Sequence, residues 1–203
     1  FEPEDVGLLV MPIFHIGGTG FGTQIISAGA SALVANEFNV DFVMDAIANR
    51  GLSKLFVVPT ALRMLIGHPK AGSTDFSRIR TLLYGASPIP LDLLREAIQL
   101  FDCGFVQMYG MTETTGTICV LPPGDHSPDG NDRMLSVGKP QEWAEIAIRD
   151  AQGNDLQQGE TGEICVRGPT VMAGYWKRDD ADATELTADG WFRTGDAGYL
   201  DQD

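Results

Sequence analysis

Up to residue 121, short unbroken apolar runs alternate with stretches whose apolar residues recur every three or four positions. Residues 6–12 (VGLLVMP) form a continuous apolar run, which is how a strand covered on both faces reads. The glycines at 17, 18, 20 and 22 then lead into an apolar segment that ends near Ala28, where Gly29 reads as a helix stop. Residues 31–35 and 54–58 are the next strands. Between them Asn39 is placed to cap a helix with Val40, Val43, Met44 and Ile47 on one face, stopped by Gly51. Pro59 opens a short helix through Ile66, and residues 67–77 read as a loop. Residues 80–84 follow as a strand, and Pro90 starts a helix carrying Leu91, Leu94, Ile98 and Leu100. Residues 105–109 end the series as a strand.

Strands alternating with helices predict an α/β fold, a parallel sheet flanked by helices. In such sheets ligands bind outside the carboxyl ends of the strands. Segments 12–18, 85–88 and 110–116 all follow strands, so they would converge on one edge as one pocket. PPGDHSPDGND at 122–132 is rich in breakers and sets the internal boundary. Beyond it the rhythm becomes two. Ala144, Ile146 and Ile148 share one side of 143–149, residues 150–153 turn, 163–167 alternate again, and 190–193 and 198–200 add two short runs. The expectation is an α/β subdomain over 1–121 and a β-rich subdomain over 122–203, an antiparallel sheet of partial-barrel form.

Charge narrows the partners. A net charge of -14 argues against a nucleic-acid backbone or an anionic membrane. It leaves a nucleotide open, because backbone amides, hydroxyls and Mg²⁺ bind phosphates on acidic proteins. Hydrophobic residues at 43% and charged residues at 21% describe a globular chain and not a disordered one. Cys103, Cys119 and Cys165 lie far apart among apolar residues, with neither metal-ligand spacing nor a disulfide framework, the pattern of a reducing, cytoplasmic setting. No apolar run approaches the ~18–20 residues of a transmembrane segment, and no stretch of these residues reads as a signal peptide, so none is expected. The chain starts at Phe1 on the approach to a strand and stops at Asp203 inside a turn, so it reads as an internal piece of a longer protein.

The strand at 105–109 delivers QMYGMTETTG, residues 107–116: an aromatic ring, then a glycine, then threonines around one carboxylate. A ring can stack on a flat base, hydroxyls can hold phosphate oxygens, and a carboxylate can ligate Mg²⁺. Alone, such a loop is more often an ordinary turn facing solvent. Its companions change that reading. PIFHIGG at 12–18, YGASPIP at 84–90, VGKP at 137–140, GETGEICVRGPTVMAGYW at 159–176 and GWFRTGDAGYLDQD at 190–203 stand with it in a recognisable order and spacing. Together they resemble the adenylate-forming, or AMP-binding, enzymes: acyl-CoA synthetases, luciferases and peptide-synthetase adenylation domains. The likeness is greatest to an acyl-CoA synthetase, a fatty-acid–CoA ligase.

The resemblance implies roles. Tyr109 would stack on the adenine of ATP, with Gly85, Ala86 and Ser87 across the base; a glycine at 85 would spare the ring a side chain. Gln107, Met108, Gly110 and Met111 belong to the same nucleotide-binding stretch. Thr112 would hydrogen-bond the α-phosphate, Glu113 would ligate Mg²⁺, and Asp196 would accept both ribose hydroxyls. His15 would sit beside the substrate carboxylate as a positioning or gating group, and Phe14, Gly17, Gly18, Thr115 and Gly116 would line the acyl pocket with it. Thr112, Glu113 and His15 form the implied catalytic set. Without the family, Asp196 reads as a turn aspartate, and His15 reads equally as a structural histidine or one with a direct role; His68 and His126 carry no assignment. In the implied reaction a carboxylic acid attacks the α-phosphorus of Mg·ATP to give acyl-AMP and pyrophosphate, and coenzyme A then displaces AMP. The protein's share is positioning and charge neutralisation, which needs no nucleophilic triad, and none is evident.

Departures matter as much. The family's phosphate loop with its lysine, its hinge, a ribose-contacting arginine and the small C-terminal domain with the adenylation lysine are expected outside this chain, so the chain alone is expected not to turn over. Amino-acid-activating members carry an aspartate near Phe14–His15, and none stands here, which favours a fatty or aryl acid. The alternatives are an adenylation domain loading a carrier protein, a luciferase-like oxidation, and a non-catalytic nucleotide-binding scaffold of the same fold.

Overall fold

The computed structural model describes residues 1–202, and of Asp179 only the backbone; the terminal Asp203 of the last motif lies outside the described residues. Five strands are parallel: β1 (Val6–Leu9), β2 (Ser31–Val34), β3 (Lys54–Val57), β4 (Thr81–Gly85) and β5 (Gly104–Met111). Two antiparallel strands, β6 (Gly116–Leu121) and β7 (Lys139–Pro140), extend the sheet, whose order is β2-β1-β3-β4-β5-β6-β7. Helices α1 (Ile16–Ser27), α2 (Val40–Asn49), α3 (Pro59–Ile66) and α4 (Leu91–Phe101) connect the parallel strands.

Local chemistry explains the boundaries. The Asn39 side chain accepts from the Phe42 amide at 3.0 Å and caps α2. Gly29 and Gly51, at φ of +68° and +69°, take the left-handed positions after α1 and α2. Pro59 opens α3 where its missing N–H costs nothing. The unbroken apolar strands are indeed covered twice. Leu55, Val57, Leu82, Tyr84 and Phe105 join the core under α2, α3 and α4, while Phe56 and Leu83 meet Phe21 and Ile25 of α1 on the opposite face.

A second, antiparallel sheet has the order β10-β9-β8, built from β8 (Glu145–Arg149), β9 (Gly162–Arg167) and β10 (Phe192–Gly198). It packs Ala144, Val166 and Phe192 against Ile118 and Cys119 of β6. Two guanidinium groups lie over the Trp191 ring, Arg149 at 4.6 Å and Arg167 at 4.7 Å from its centroid.

The sequence reading announces neither β6 nor β7, and three further elements differ from it. The runs at 190–193 and 198–200 are one strand, β10, whose register shifts between Arg193 and Ala197, and Tyr199 and Leu200 lie past its end. The threonine-rich segment is only a single 3₁₀ turn, Thr112–Thr114, because β5 runs on to Met111 and β6 starts at Gly116. A short acidic helix, α5 (Asp179–Glu185), has no apolar period that could have announced it. Among the described residues no helix is long and apolar enough to cross a membrane.

The amino ends of β1, β3 and β4 meet at a buried charge. Asp5, 1% exposed, accepts from Ser53 Oγ at 2.6 Å and from the Glu2 amide at 2.8 Å through its partner Oδ2, with Arg80 Nη2 at 2.6 Å. Burial pushes this carboxyl up, but the Ser53 hydroxyl, the Glu2 amide, Lys54 and Arg80 more than offset it and hold it below the usual carboxylate range. Such a group stabilises the fold fully above its unfolded pKa of about 4, and the contribution is lost as pH falls through the lower folded value. Asp5→Asn is therefore expected to unfold more easily than wild type near pH 7, with the gap narrowing below about pH 4. Urea midpoints measured across that range check it; a gap indifferent to pH would mean the Asp5 charge contributes nothing.

Candidate active site

The parallel strands all end at one edge, and the segments after β1, β4 and β5 meet there. Two cavities open between them. The larger, about 590 Å³, lies between Ala86 and Ser87 after β4, the side chains of Gln107 and Tyr109 on β5, the 134–137 loop, and Asp196 on β10. Its size is that of a typical small-molecule site. The smaller, about 260 Å³, is bounded by His15, Gly17, Gly20 and Phe21 at the start of α1, Phe56 of β3, residues 115–117 and Trp143. Ala86, Met108 and Gly110 face both cavities. They form one common wall.

Backbone constraints build that wall. A Cβ at Gly110 would collide with the main chain of Gly116, across a register shift where Tyr109 pairs with Cys119 but Gly110 pairs with Thr117. The extra residue, Ile118, is fully buried in the second core. A Cβ at Gly85 would strike the Met108 carbonyl, so the glycine is demanded by β5 and not by a ligand ring; Gly85 itself is buried and faces neither cavity. Ala86 follows at φ +66°, a left-handed position unusual for alanine.

Thr114 is buried and ties the turn together. Its hydroxyl accepts from the Met111 amide at 3.1 Å and has the Gly116 carbonyl at 2.7 Å. Thr112, by contrast, is exposed at the tip. Glu113 Oε1 accepts from the Tyr175 hydroxyl at 2.8 Å, and burial, then Glu113 itself, pushes that phenol up to about 12, so it stays a neutral donor. The Tyr109 hydroxyl donates to Asp196 Oδ2 at 2.7 Å, and burial followed by Asp196 raises that phenol as well. Aromatic wall and carboxylate come from different sheets, yet they touch directly.

The residues expected on the acyl side divide. His15 caps α1, its Nδ1 accepting from the Gly17 amide at 3.1 Å, so the neutral ring carries its proton on Nε2. Thr115 and Gly116 line the smaller cavity with it, Thr115 at φ +56° and its hydroxyl on the Thr170 carbonyl at 2.7 Å. Phe14 stands 93% exposed outside the cavity, and Gly18 is packed against the Pro12 carbonyl, where any side chain would collide. Neither lines the pocket.

Several residues escaped the sequence reading. Phe21, Phe56 and Trp143 bound the smaller cavity, and Met134 and Val137 the larger. Tyr175 was inside a quoted motif, but its partner lies 62 residues away. His126 was left without a role and holds Tyr84 at 2.9 Å. Its Nδ1 must donate to the Pro122 carbonyl at 2.9 Å, so its Nε2 accepts from the Tyr84 hydroxyl, and burial keeps it neutral by lowering its pKa.

The profile of the family described as AMP-binding enzyme matches residues 1–176. This chain belongs to that family. Across 199 residues this AMP-binding chain is 40% identical to the fatty acid–[acyl-carrier-protein] ligase ScoC of Streptomyces coeruleorubidus, a match covering 98% of this chain and 38% of that protein. It is 36% identical over 196 residues to the medium/long-chain-fatty-acid–CoA ligase FadD8 of Mycobacterium tuberculosis, covering 97% of this chain and 34% of that one. O-succinylbenzoate coenzyme A synthetase of Bacillus subtilis, solved with ATP and magnesium ion, superposes with a TM-score of 0.83 at 33% identity, over 98% of this chain and 40% of that chain. The chain thus spans well under half the length of the relatives it matches.

Proposed function

We propose that the full-length protein containing this chain activates a fatty or aryl carboxylic acid with Mg·ATP to an acyl-adenylate and transfers the acyl group to coenzyme A. One observation carries this reading: a nucleotide-sized cavity and a smaller, largely apolar one share a single wall, so two ligands can meet across it.

The residues present fit the groups required. Gln107 lines the larger cavity and carries a buried acceptor without a partner, Oε1, which the amino group of a purine could satisfy if the side chain turned toward it. Among the described residues no cluster of three or more His, Cys, Asp or Glu could hold a metal. Magnesium is commonly bound through one or two carboxylates plus substrate phosphates, and Glu113 offers one from the turn between Met111 and Thr115, which line the two cavities although Glu113 itself lines neither. When bound, the ion neutralises charge on the phosphates. Tyr109 and the Ala86–Ser87 turn clasp the base, Asp196 holds the ribose, and Thr112 donates to the α-phosphate. His15 donates from Nε2 to the acid's carboxylate and orients it, while Phe21, Phe56 and Met108 keep water from the acyl group. Among the described residues no carboxylate faces the smaller cavity, which leaves a substrate amine without a partner there. Neither cavity is lined by lysine or arginine, so this chain alone is expected to form no acyl-adenylate. A carrier protein as acyl acceptor is the second reading, favoured by the likeness to ScoC.

The test is ATP–pyrophosphate exchange by the full-length protein across fatty, aryl and amino acids. Exchange only with amino acids would overturn the substrate class, and none with any acid would favour a binding scaffold. Gly20 sharpens it. A Cβ built there has nothing within 4 Å and borders the smaller cavity. Gly20→Leu is expected to shift the accepted acids to smaller ones by roughly 10-fold in exchange rate, while the helix gains about 0.5–1 kcal/mol from losing glycine. An unchanged acid profile would place the acid elsewhere.

A further inference from the structure

Residues 170–175 run across the Thr112–Thr115 turn and are fastened to it three times. The Thr115 hydroxyl donates to the Thr170 carbonyl at 2.7 Å, the Met172 amide donates to the Glu113 carbonyl at 2.8 Å, and the Tyr175 hydroxyl donates to Glu113 Oε1 at 2.8 Å. The first two bonds fix the backbone of the turn. The third alone reaches the carboxylate. Tyr175 is itself anchored, its amide donating to Asp182 Oδ1 of α5 at 2.7 Å, and Gly174 before it, at φ +148°, packs so closely on the Asp182 carboxylate that a Cβ would collide.

We infer that Tyr175 is a positioning residue for metal binding: it holds Glu113 by Oε1 and leaves Oε2 as the ligand oxygen. The inference rests on the proposed Mg²⁺ role of Glu113. Among the described residues Glu113 has no ion-pair partner, and Tyr175 is its side chain's hydrogen-bond donor. A lone glutamate on a half-exposed turn would have to freeze several rotatable bonds at each metal-binding event. A donor already in place removes that cost. A phenol does so without cancelling the carboxylate's charge, which a lysine or arginine would. The neighbouring hydroxyl thus orients the ligand in the way outer hydrogen-bond partners orient metal ligands generally, an effect of about 10–100-fold in affinity.

Tyr175→Phe removes one oxygen and keeps the ring. In the full-length protein it is expected to raise the Mg²⁺ concentration needed for half-maximal ATP binding by about 10-fold, read by calorimetric titration of ATP at a series of Mg²⁺ concentrations without any acid present. Its thermal midpoint and its acid profile should stay near wild type. Combined with Glu113→Gln, it should add little to the shift of Glu113→Gln alone, since both act on one ligand. Tyr175→Leu, which retains apolar packing, should match Tyr175→Phe. An Mg²⁺ dependence unchanged in Tyr175→Phe while Glu113→Gln shifts it would overturn this inference and spare the metal role. A defect in Tyr175→Leu only would assign the effect to ring packing and also overturn it. No shift in Glu113→Gln would remove the metal role and this inference together.

Discussion

Glu113→Gln in the full-length protein is expected to slow acid-dependent ATP–pyrophosphate exchange roughly 100-fold, the scale on which removal of one preorganised electrostatic group acts. The substitution is nearly isosteric. Its amide oxygen can still accept from Tyr175, and the Met172 amide still binds the main-chain carbonyl, so the turn keeps its shape. What disappears is the negative charge. Among the described residues no cationic side chain lines either cavity, so on the proposed reading Mg²⁺ arriving with the nucleotide would carry the charge neutralisation at this site. Rates measured at rising Mg²⁺ distinguish the outcomes. A deficit partly recovered at high Mg²⁺ supports the metal role, and a dependence identical to wild type ends it.

Gly110→Ala is expected to cost about 3 kcal/mol of stability, the upper range for overpacking. The obstacle is main chain on main chain. A Cβ at 110 meets the Gly116 carbonyl group and the Thr117 Cα, neither of which can swing aside as a side-chain end would. Relief requires parting β5 from β6 at the register shift, and that shift is what directs Ile118 into the second core beside Val166 and Phe192. The damage would reach the packing of the second sheet as well as the wall between the cavities. Denaturant unfolding of the full-length protein measures it. A loss below about 1 kcal/mol would show that the strand pair yields at little cost.

The parallel half of the fold was legible because each connection carries its own signal. Asn39, Gly51, Pro59 and Gly29 fix helix ends by local chemistry alone, and α3 spans Pro59–Ile66 as its apolar spacing and leading proline dictate. β6 was missed because Gly116 and Thr117 look like loop residues; the strand exists through pairing with β5, a tertiary effect. Gly85 was assigned to ligand approach, whereas the carbonyl of Met108 is what excludes a side chain there. Of the candidate site, the β5 motif drew notice in sequence, whereas Asp196 was singled out only by the family resemblance; the Tyr109–Asp196 bond joins residues 87 apart and only the fold reveals it. The apolar boundary of the smaller cavity was hidden for another reason. Phe21 and Phe56 read as core, and both are core residues that also happen to face an opening.

The wall shared by Ala86, Met108 and Gly110 has a thermodynamic consequence. On the proposed reading, a ligand in either cavity would touch the same three residues, so each occupant would be expected to change the free energy of the other's binding. By linkage the two changes are equal. A nucleotide that tightens the hold on a carboxylic acid by some factor must itself be held more tightly by that factor once the acid is present, and an acid too bulky for its side weakens both. Discrimination between acids would then be readable in the affinity for the nucleotide, a ligand the acid-side residues never touch.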